Sequence, residues 1–391
     1  MKEPKIRLKG FTREWEKKVV GDMGTTYSGL SGKTREDFGQ GDASYVTFLN
    51  VLTNAQIDTS ILEPVNVAKS EHQNLVKKGD LLFNTSSETP DEVGLCAVMD
   101  EDVENVYLNS FCFGFRVTDS NIDPKCVAYL MRSPIGRTLM SILGQGATRY
   151  NLSKNNFCKS DILLPSDKDE QESIAEYFQN LDSLIQSTNK KIESLKQVKV
   201  ASLQSMFPQE GETTPRVRFK GFEGEWDVVT IDSICKKSVS KHSENSLGEN
   251  VGQYPIYGAS GYIQNIETYD FDVPYVGVIK DGSGVGRSQL YPAYSSILGT
   301  MQYILPKGDM DVTFLAYLFE TINFSSYVNG SSIPHIYFKD YSIKNVKVPS
   351  INEQRVIGEY FQNLDSQIAL LSQQLEKLQQ IKSACLDNMF V

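Results

Sequence analysis

A chain of 391 residues is too long for one ordinary domain and is enough for two or three. Its 40% hydrophobic and 23% charged residues are ordinary globular usage, and no run nears the ~18 apolar residues of a spanning helix, so neither a disordered nor a membrane protein is expected. A formal net charge of −10 argues against broad contact with phosphates unless charge is segregated on the chain or lent by partners.

In chain order, Met1-Lys2-Glu3-Pro4-Lys5 is followed by no apolar stretch, so no secretory signal is expected. Arg7-Leu8-Lys9-Gly10-Phe11 and Glu14-Trp15-Glu16 come next. From about residue 17 to 164, strand-like runs such as Tyr45-Val46-Thr47-Phe48-Leu49 alternate with turn signals, which predicts a compact α+β domain. Gly29-Leu30-Ser31-Gly32-Lys33-Thr34 resembles a nucleotide-phosphate loop, but Tyr27 stands where its first glycine belongs, so ATP binding is not expected. Glu88, Asp91 and Glu92 read as a charged loop around Pro90, and Ala128-Tyr129-Leu130 hints at a helix. The run from Gly144 to Asn156 is polar, has no acidic residue, and ends the segment. Its Thr148, Arg149, Tyr150, Asn151 and Lys154 are of the types that bond phosphates and base edges, so they are candidates for DNA contact; an ordinary solvated loop is the alternative.

After Pro165, apolar residues fall at Ile174, Phe178, Leu181, Ile185, Ile192 and Leu195, alternately four and three apart, with Thr188 as the one polar interruption. That is a heptad seam. Ser166 or Asp167 is the expected cap. A helix over about 170–205 would be roughly 50 Å long and would stop before Pro208, with Gln209–Pro215 as an exposed linker.

The chain then repeats. Arg218-Phe219-Lys220-Gly221-Phe222 and Glu225-Trp226-Asp227 follow their counterparts at a constant separation of 211, and both tryptophans occupy this one place. Between about 228 and 348 lie strand-like Tyr275-Val276-Gly277-Val278-Ile279 and the tyrosines Tyr254, Tyr257, Tyr262, Tyr269 and Tyr275, which read as core and turn packing rather than a base-stacking platform. Lys280-Asp281-Gly282-Ser283-Gly284-Val285-Gly286-Arg287 reads by default as a hairpin turn, though its bare amides suit a phosphate and make Lys280 and Arg287 candidates. Ala316-Tyr317-Leu318 echoes the earlier helix, and the stretch from Asn329 to Lys339 contributes Ser331, Ser332, His335 and Lys339 as candidates. After Pro349, with Ser350 or Asn352 as expected cap, Ile357, Phe361, Leu364, Ile368, Leu371, Leu375 and Leu378 repeat the seam. Glu170-Gln171 through Ser183 matches Glu353-Gln354 through Ser366 at a separation of 183, so the first globular segment is 28 residues longer than the second. Between these frames there is almost no identity, as different ligands for the two copies would require or as drift would produce.

Catalytic signatures are missing. His72, His242 and His335 have no metal-ligand spacing, the six cysteines (Cys96, Cys112, Cys126, Cys158, Cys235, Cys385) form no C-x-x-C pair and read as reduced cytoplasmic thiols, and no Asn-Pro-Pro-aromatic or Asp-Pro-Pro-aromatic string of the amino-methyltransferase kind occurs.

The Gly10-Phe11 and Glu14-Trp15 opening, its return at Gly221-Phe222 and Glu225-Trp226, and the proline then Glu-Gln before each heptad helix make the chain resemble, over nearly its whole length, the specificity subunits of type I restriction-modification systems. The resemblance implies an α+β fold of two target-recognition domains (1–165 and 218–349), two long helices (166–207 and 350–391) packed as an antiparallel coiled coil, and a linker (208–217). The pseudo-two-fold repeat would set the two domains at opposite ends of the helices. It further implies a non-catalytic subunit that reads a split site in double-stranded DNA. Its partners would be two methyltransferase subunits using S-adenosylmethionine and two translocase-nuclease subunits using ATP and Mg, with no cofactor on this chain. Because the two domains differ, an asymmetric target is expected. Rival readings are an orphan DNA-binding partner that assembles no nuclease and a protein-binding adaptor joined by a coiled coil.

Overall fold

The computed structural model describes residues 3–146, 148–248, 250 and 252–391. They form two compact units: the chain up to Thr188 with Gln374–Val391, and Asn189–Gln373. The sequence-drawn domains leave the helices outside the globular parts. In the structure each unit instead takes in half of each long helix, Lys168–Met206 and Ile351–Asn388.

In the first unit a four-stranded antiparallel sheet runs in the order Gly24–Ser28, Cys112–Val117, Asp80–Asn84, Cys96–Val98. A three-stranded sheet places Phe38–Val46 between Glu63–Val65, antiparallel, and Val106–Leu108, parallel. A two-stranded ribbon, Trp15–Val19 with Asp161–Pro165, leads into the first long helix. The second unit repeats each piece: Cys235–Val239, Met301–Pro306, Tyr275–Ile279, Ser288–Tyr291; then Tyr254–Gly258 between antiparallel Gly261–Ile266 and parallel Ser296–Ile297; then Asp227–Thr230 with Asn345–Val348. The variable segments therefore share these three pieces of sheet in the same order despite their lack of identity. Buried Phe83 and Phe113, stacked 5.1 Å apart, fill the first central sheet, and Val276, Val278 and Ile304 the second. A sheet core needs apolar side chains on alternate positions but no particular ones, so the identities drift while the pairing holds.

The run Tyr45–Leu49 is only half strand. The strand ends at Val46, and Thr47 caps the helix Phe48–Thr53, its side chain accepting the Asn50 amide at 3.2 Å. A hydroxyl that captures an orphan helix amide outweighs the strand propensity of the residues beside it. The tyrosines divide: Tyr275 is fully buried, whereas Tyr262 is 57% and Tyr269 39% exposed.

The retained motifs are explained by what they hold. Arg7 bonds Glu170 through Nε at 2.7 Å, Trp15 donates to the same carboxylate at 3.3 Å, and Arg218 bonds Glu353 at 2.7 Å. These pairings keep both arginines charged, their pKa raised first by the carboxylate hydrogen bond. Gln171 donates to the Pro165 carbonyl and accepts the Asp123 amide, just before the helix Pro124–Arg132 that Asp123 caps; Gln354 does the same with Pro349 and Asp311 for the helix Val312–Glu320. Those two helices carry the paired Ala-Tyr-Leu strings.

Asp167 and Ser350 stand at the N-cap positions of the long helices, and Asn352 lies inside the second. The seam differs from a simple two-helix zipper. Ile174, Phe178 and Leu181 are buried in the core of the first unit, with Phe178 stacked 5.0 Å from Tyr129 and 5.9 Å from Phe390. Ile357, Phe361 and Leu364 are buried likewise in the second, where Phe207 lies 6.0 Å from Phe361. Further along, Ile185, Ile368, Leu371 and Leu375 are half-buried, Leu195 packs on the second core and Leu378 on the first, while Ile192 and Thr188 are buried. The first turns thus serve as amphipathic helices on a globular core, because the helix of the domain supplies apolar surface there.

Inside each unit the two helices run antiparallel. Tyr177 meets Cys385 and Asp182 meets Lys382 in the first, so one number falls as the other rises. In the second, Lys199 meets Asp365 and Ser202 meets Tyr360. Burial alone would lower the Lys199 amine, but the Asp365 and Glu320 carboxylates raise it. The stretch after Phe207 is exposed but tied down: Gln209 donates to the Glu212 carboxylate, Val217 to the Ser205 carbonyl and Trp226 to the Thr213 carbonyl.

Candidate nucleic-acid interface

In the first unit the run after the helix Pro134–Leu143 folds back as a hairpin, Gly144–Gln145 against Tyr150–Leu152. Buried Leu152 anchors its second strand. At Gly146 φ is +141° and a Cβ would stand 2.0 Å from the Arg149 carbonyl oxygen, so the turn requires glycine. Thr148, Arg149 and Asn151 are exposed at the tip and Tyr150 is half-buried; Ala147 lies outside the described residues. Lys154 points elsewhere. Its amine donates to Ser28 Oγ at 2.7 Å and lies 5.8 Å over the Phe113 ring, where burial lowers its pKa.

The hairpin does not stand alone. Tyr150 and Asn151 pair with Ser87 and Ser86, and the Leu152 amide donates to the Thr85 carbonyl, which splices the hairpin to the turn joining Asp80–Asn84 and Cys96–Val98. That turn carries Glu88, Asp91 and Glu92, all exposed; Glu92 accepts from Ser87 Oγ at 2.9 Å, and Arg137 braces the Asp91 and Val93 carbonyls. Sequence reading set this acidic turn apart from the basic hairpin, because 63 and 65 residues separate the paired positions and only the ladder joins them.

The second unit builds an equivalent patch from different residues. The turn Lys280–Arg287 joins Tyr275–Ile279 to Ser288–Tyr291, and its three glycines all have positive φ; a Cβ on Gly286 would stand 2.7 Å from Phe324 Cβ. The loop 329–336 closes on itself through reciprocal Asn329 and His335 bonds of 2.8 Å. It also pairs with the turn, since the Gly282 amide donates to the Pro334 carbonyl and the Ile336 amide to the Lys280 carbonyl. Five of the sequence candidates, Lys280, Arg287, Ser331, Ser332 and His335, therefore share one surface. Lys339 joins them through Tyr337, whose ring lies 5.5 Å beneath its amine and 4.9 Å from the His335 ring. Tyr337 is 50% and Ile333 66% exposed, so this patch has an apolar and aromatic component that the sequence did not single out. Lys280 pairs with Asp281 at 2.7 Å, and Arg287 is exposed.

Among the described residues no group of three or more His, Cys, Asp or Glu is placed to hold a metal ion. Burial pushes the Cys112 and Cys235 thiols up to about 12, far from a nucleophile's range. Lys33 of the phosphate-loop-like string is 4% exposed and bound to Glu71 at 2.6 Å; the Lys33 hydrogen bond is first among the causes holding the Glu71 carboxyl at about 2. Among the described residues no helix is long and apolar enough to cross a membrane.

One scaffold built twice and presenting two unlike loop patches defines a duplicated module. The sequence matches the type I restriction modification DNA specificity domain over residues 12–197 and again over 223–380, and the chain belongs to that family. Its role is thus DNA specificity. The chain is 21% identical over 97% of its length, and 93% of the relative's, to a Methanocaldococcus jannaschii protein assigned as the MjaX type I restriction enzyme specificity subunit. It is 26% identical over 40% of its length, and 35% of the relative's, to the Escherichia coli EcoDI specificity subunit. In fold it resembles the crystallised S subunit of the type I system of M. genitalium, with a TM-score of 0.72, 16% identity, and 100% and 99% of the two chains covered. A structure from a study of type I complex assembly and conformational transition superposes with a TM-score of 0.52 at 15% identity, over 95% and 96%.

Proposed function

We propose that each globular domain reads one half of a bipartite, asymmetric DNA site, and that the two long helices set the unread spacer and bind methyltransferase subunits. The observation that carries this reading is the contrast within the repeat: the Arg–Glu, Gln–Pro and Tyr–Asp bonds that hold each domain to its helices recur at matching positions, while the exposed loop patches differ in charge and shape. Thr148, Arg149, Tyr150 and Asn151 serve the first half-site, and Lys280, Arg287, Ser331, Ser332, His335 and Lys339 the second; Lys154 acts by supporting Ser28. With a net charge of −10, these few cations cannot hold DNA by counterion release alone, so partner subunits close around the duplex and supply positive charge. Those partners are two methyltransferase subunits that carry S-adenosylmethionine and two translocase-nuclease subunits that use ATP and Mg, working in the cytoplasm.

The test is to co-express the chain with its methyltransferase partner and map methylated adenines across host DNA by single-molecule sequencing. The expected result is one split motif with two different half-sites and a fixed gap; a palindrome would contradict the divergence of the two patches. A stable, active complex with no motif dependent on this chain would instead mark it as an adaptor. Inserting about seven residues, two helical turns, into a long helix should change the gap and leave both half-sites untouched.

A further inference from the structure

The two candidate loops are one structure built twice. Residues 145–152 and 329–336 correspond at a constant separation of 184, fixed by their pairing: Gln145 stands opposite Asn151, and Asn329 opposite His335. Buried Leu152 donates its amide to the Thr85 carbonyl, and buried Ile336 to the Lys280 carbonyl, each at the start of the neighbouring turn. Gly146 and Gly330 both have positive φ, and at each a Cβ would collide with the carbonyl oxygen three residues on, that of Arg149 or Ile333. The same carbonyl is bonded by the side chain two residues further, Asn151 Nδ2 at 3.2 Å or His335 Nδ1 at 3.3 Å. Over these eight positions only the glycine is identical, so the frame was kept while its side chains changed.

At the tip, Thr148 and Ser332 are exposed and both keep a hydroxyl. At the next position Arg149 and Ile333 are exposed chemical opposites, the isoleucine at 66%. Among the described residues the Arg149 side chain makes no hydrogen bond or ion pair, so its N–H donors are open to a ligand. Folding asks for neither side chain, because changes on an exposed turn barely move stability and turn tips favour small polar residues over isoleucine. Ile333 does not stand alone: its carbonyl is held by His335, whose ring meets that of exposed Tyr337 at 4.9 Å.

We infer that this one tip position chooses a base in each half-site, Arg149 taking a guanine and Ile333 a thymine, both in the major groove. A two-stranded ribbon fits that groove. There a guanidinium with open donors bonds guanine O6 and N7 together, and thymine alone among the four bases offers a methyl group to an apolar side chain. The hydroxyls of Thr148 and Ser332 bond phosphate or either kind of base edge, so they hold the tip without choosing. A frame kept on both sides of one chemically reversed residue is what two readers of different sequences need. The inference rests on the proposed function and adds to it which residue chooses a base, and which base it chooses.

The full chain in complex with methyltransferase is scored for its methylated motif by single-molecule sequencing, then for binding to synthetic duplexes of that motif. Arg149→Ala should relax one guanine position in one half-site, and Ile333→Ala one thymine position in the other. On the duplexes, 7-deazaguanine at the first position removes the N7 acceptor and should weaken wild type by about tenfold. Uracil at the second removes only the methyl group and should weaken it by about fourfold. Arg149→Ala should be indifferent to the first analogue and Ile333→Ala to the second, with folding checked by thermal unfolding. An arginine that met only phosphate would weaken binding to all sequences alike. Such uniform weakening, an unchanged motif, relaxation at other bases, or wild-type binding that ignores either analogue would overturn the assignment and leave the proposed function standing. A wild type with no motif dependent on this chain removes both.

Discussion

The two units solve the same problem with different strictness in different places. Where a domain meets its helices, they share the same bonds at several points: Tyr129 bonds Asp182 at 2.9 Å while Lys382 meets the same carboxylate at 2.5 Å, and Tyr317 bonds Asp365 at 2.8 Å while Lys199 meets it at 2.9 Å, although Trp15 donates to Glu170 and the buried Trp226 indole has no hydrogen-bond partner among the described residues. Where a domain meets solvent, they part: an acidic turn beside a hairpin tipped by Arg149 in one, a glycine-rich turn beside His335, Tyr337 and Lys339 in the other. The Glu170 and Glu353 carboxylates, each 1% exposed, would lose several kcal/mol if their arginines went, whereas an exposed loop residue can change within about 0.5 kcal/mol. Energy therefore keeps the framework the same and leaves the exposed loops free to differ.

The comparison can be broken most forcefully at the aromatic residue that ends each long helix. Phe390 packs with Trp15 and Phe178, and Phe207 with Trp226, Phe314 and Phe361. Phe390→Ala should cost about 3–5 kcal/mol, read by hydrogen exchange as lost protection of the first unit, and Phe207→Ala should do the same to the second. A loss spread evenly over both units in either variant would contradict the division of the cores. Next comes the ion pair. Glu170→Ala and Glu353→Ala strand Arg7 and Arg218, each with a side chain only 16–17% exposed. Both changes should destabilise by about 3 kcal/mol, the lower end for a broken buried pair because the arginines keep some water. Denaturant midpoints that differ sharply between the two would show that the repeat is less equivalent than its geometry.

The smallest effect separates the units instead of equating them. Arg149→Ala and Arg287→Ala should each weaken the assembled complex on its DNA by about 1–3 kcal/mol and relax one half-site only, a different one for each variant. Competition binding on a library randomised in one half at a time checks this. Relaxation of both halves by one substitution would show that a single patch spans the site.

Much of this was legible beforehand from particular residues. The tryptophans at a separation of 211 and the Glu-Gln runs at 183 marked the framework, and their structural duties, Arg7 on Glu170 and Gln171 on Pro165, are short-list contacts between motifs already singled out. The heptad spacing located both helices, but it concealed that Phe178 and Phe361 turn into globular cores, since an apolar stripe does not say what lies against it. Tyr45–Leu49 misled because Thr47 suits a strand by propensity and a helix cap by its hydroxyl. In the loops, the bond from Lys154 to Ser28, 126 residues away, left no local mark in the sequence.

The sequence by itself determined the duplication, the two long helices and the division into retained and variable parts, because identities and periods are local facts that survive without coordinates. Only the tertiary structure decided that the variable segments share one sheet order, that the 280–287 turn and the 329–336 loop form one surface, and which framework residues are left exposed. Backbone ladders join residues tens of positions apart through groups every amino acid carries, so their pairing leaves no mark in side-chain identity.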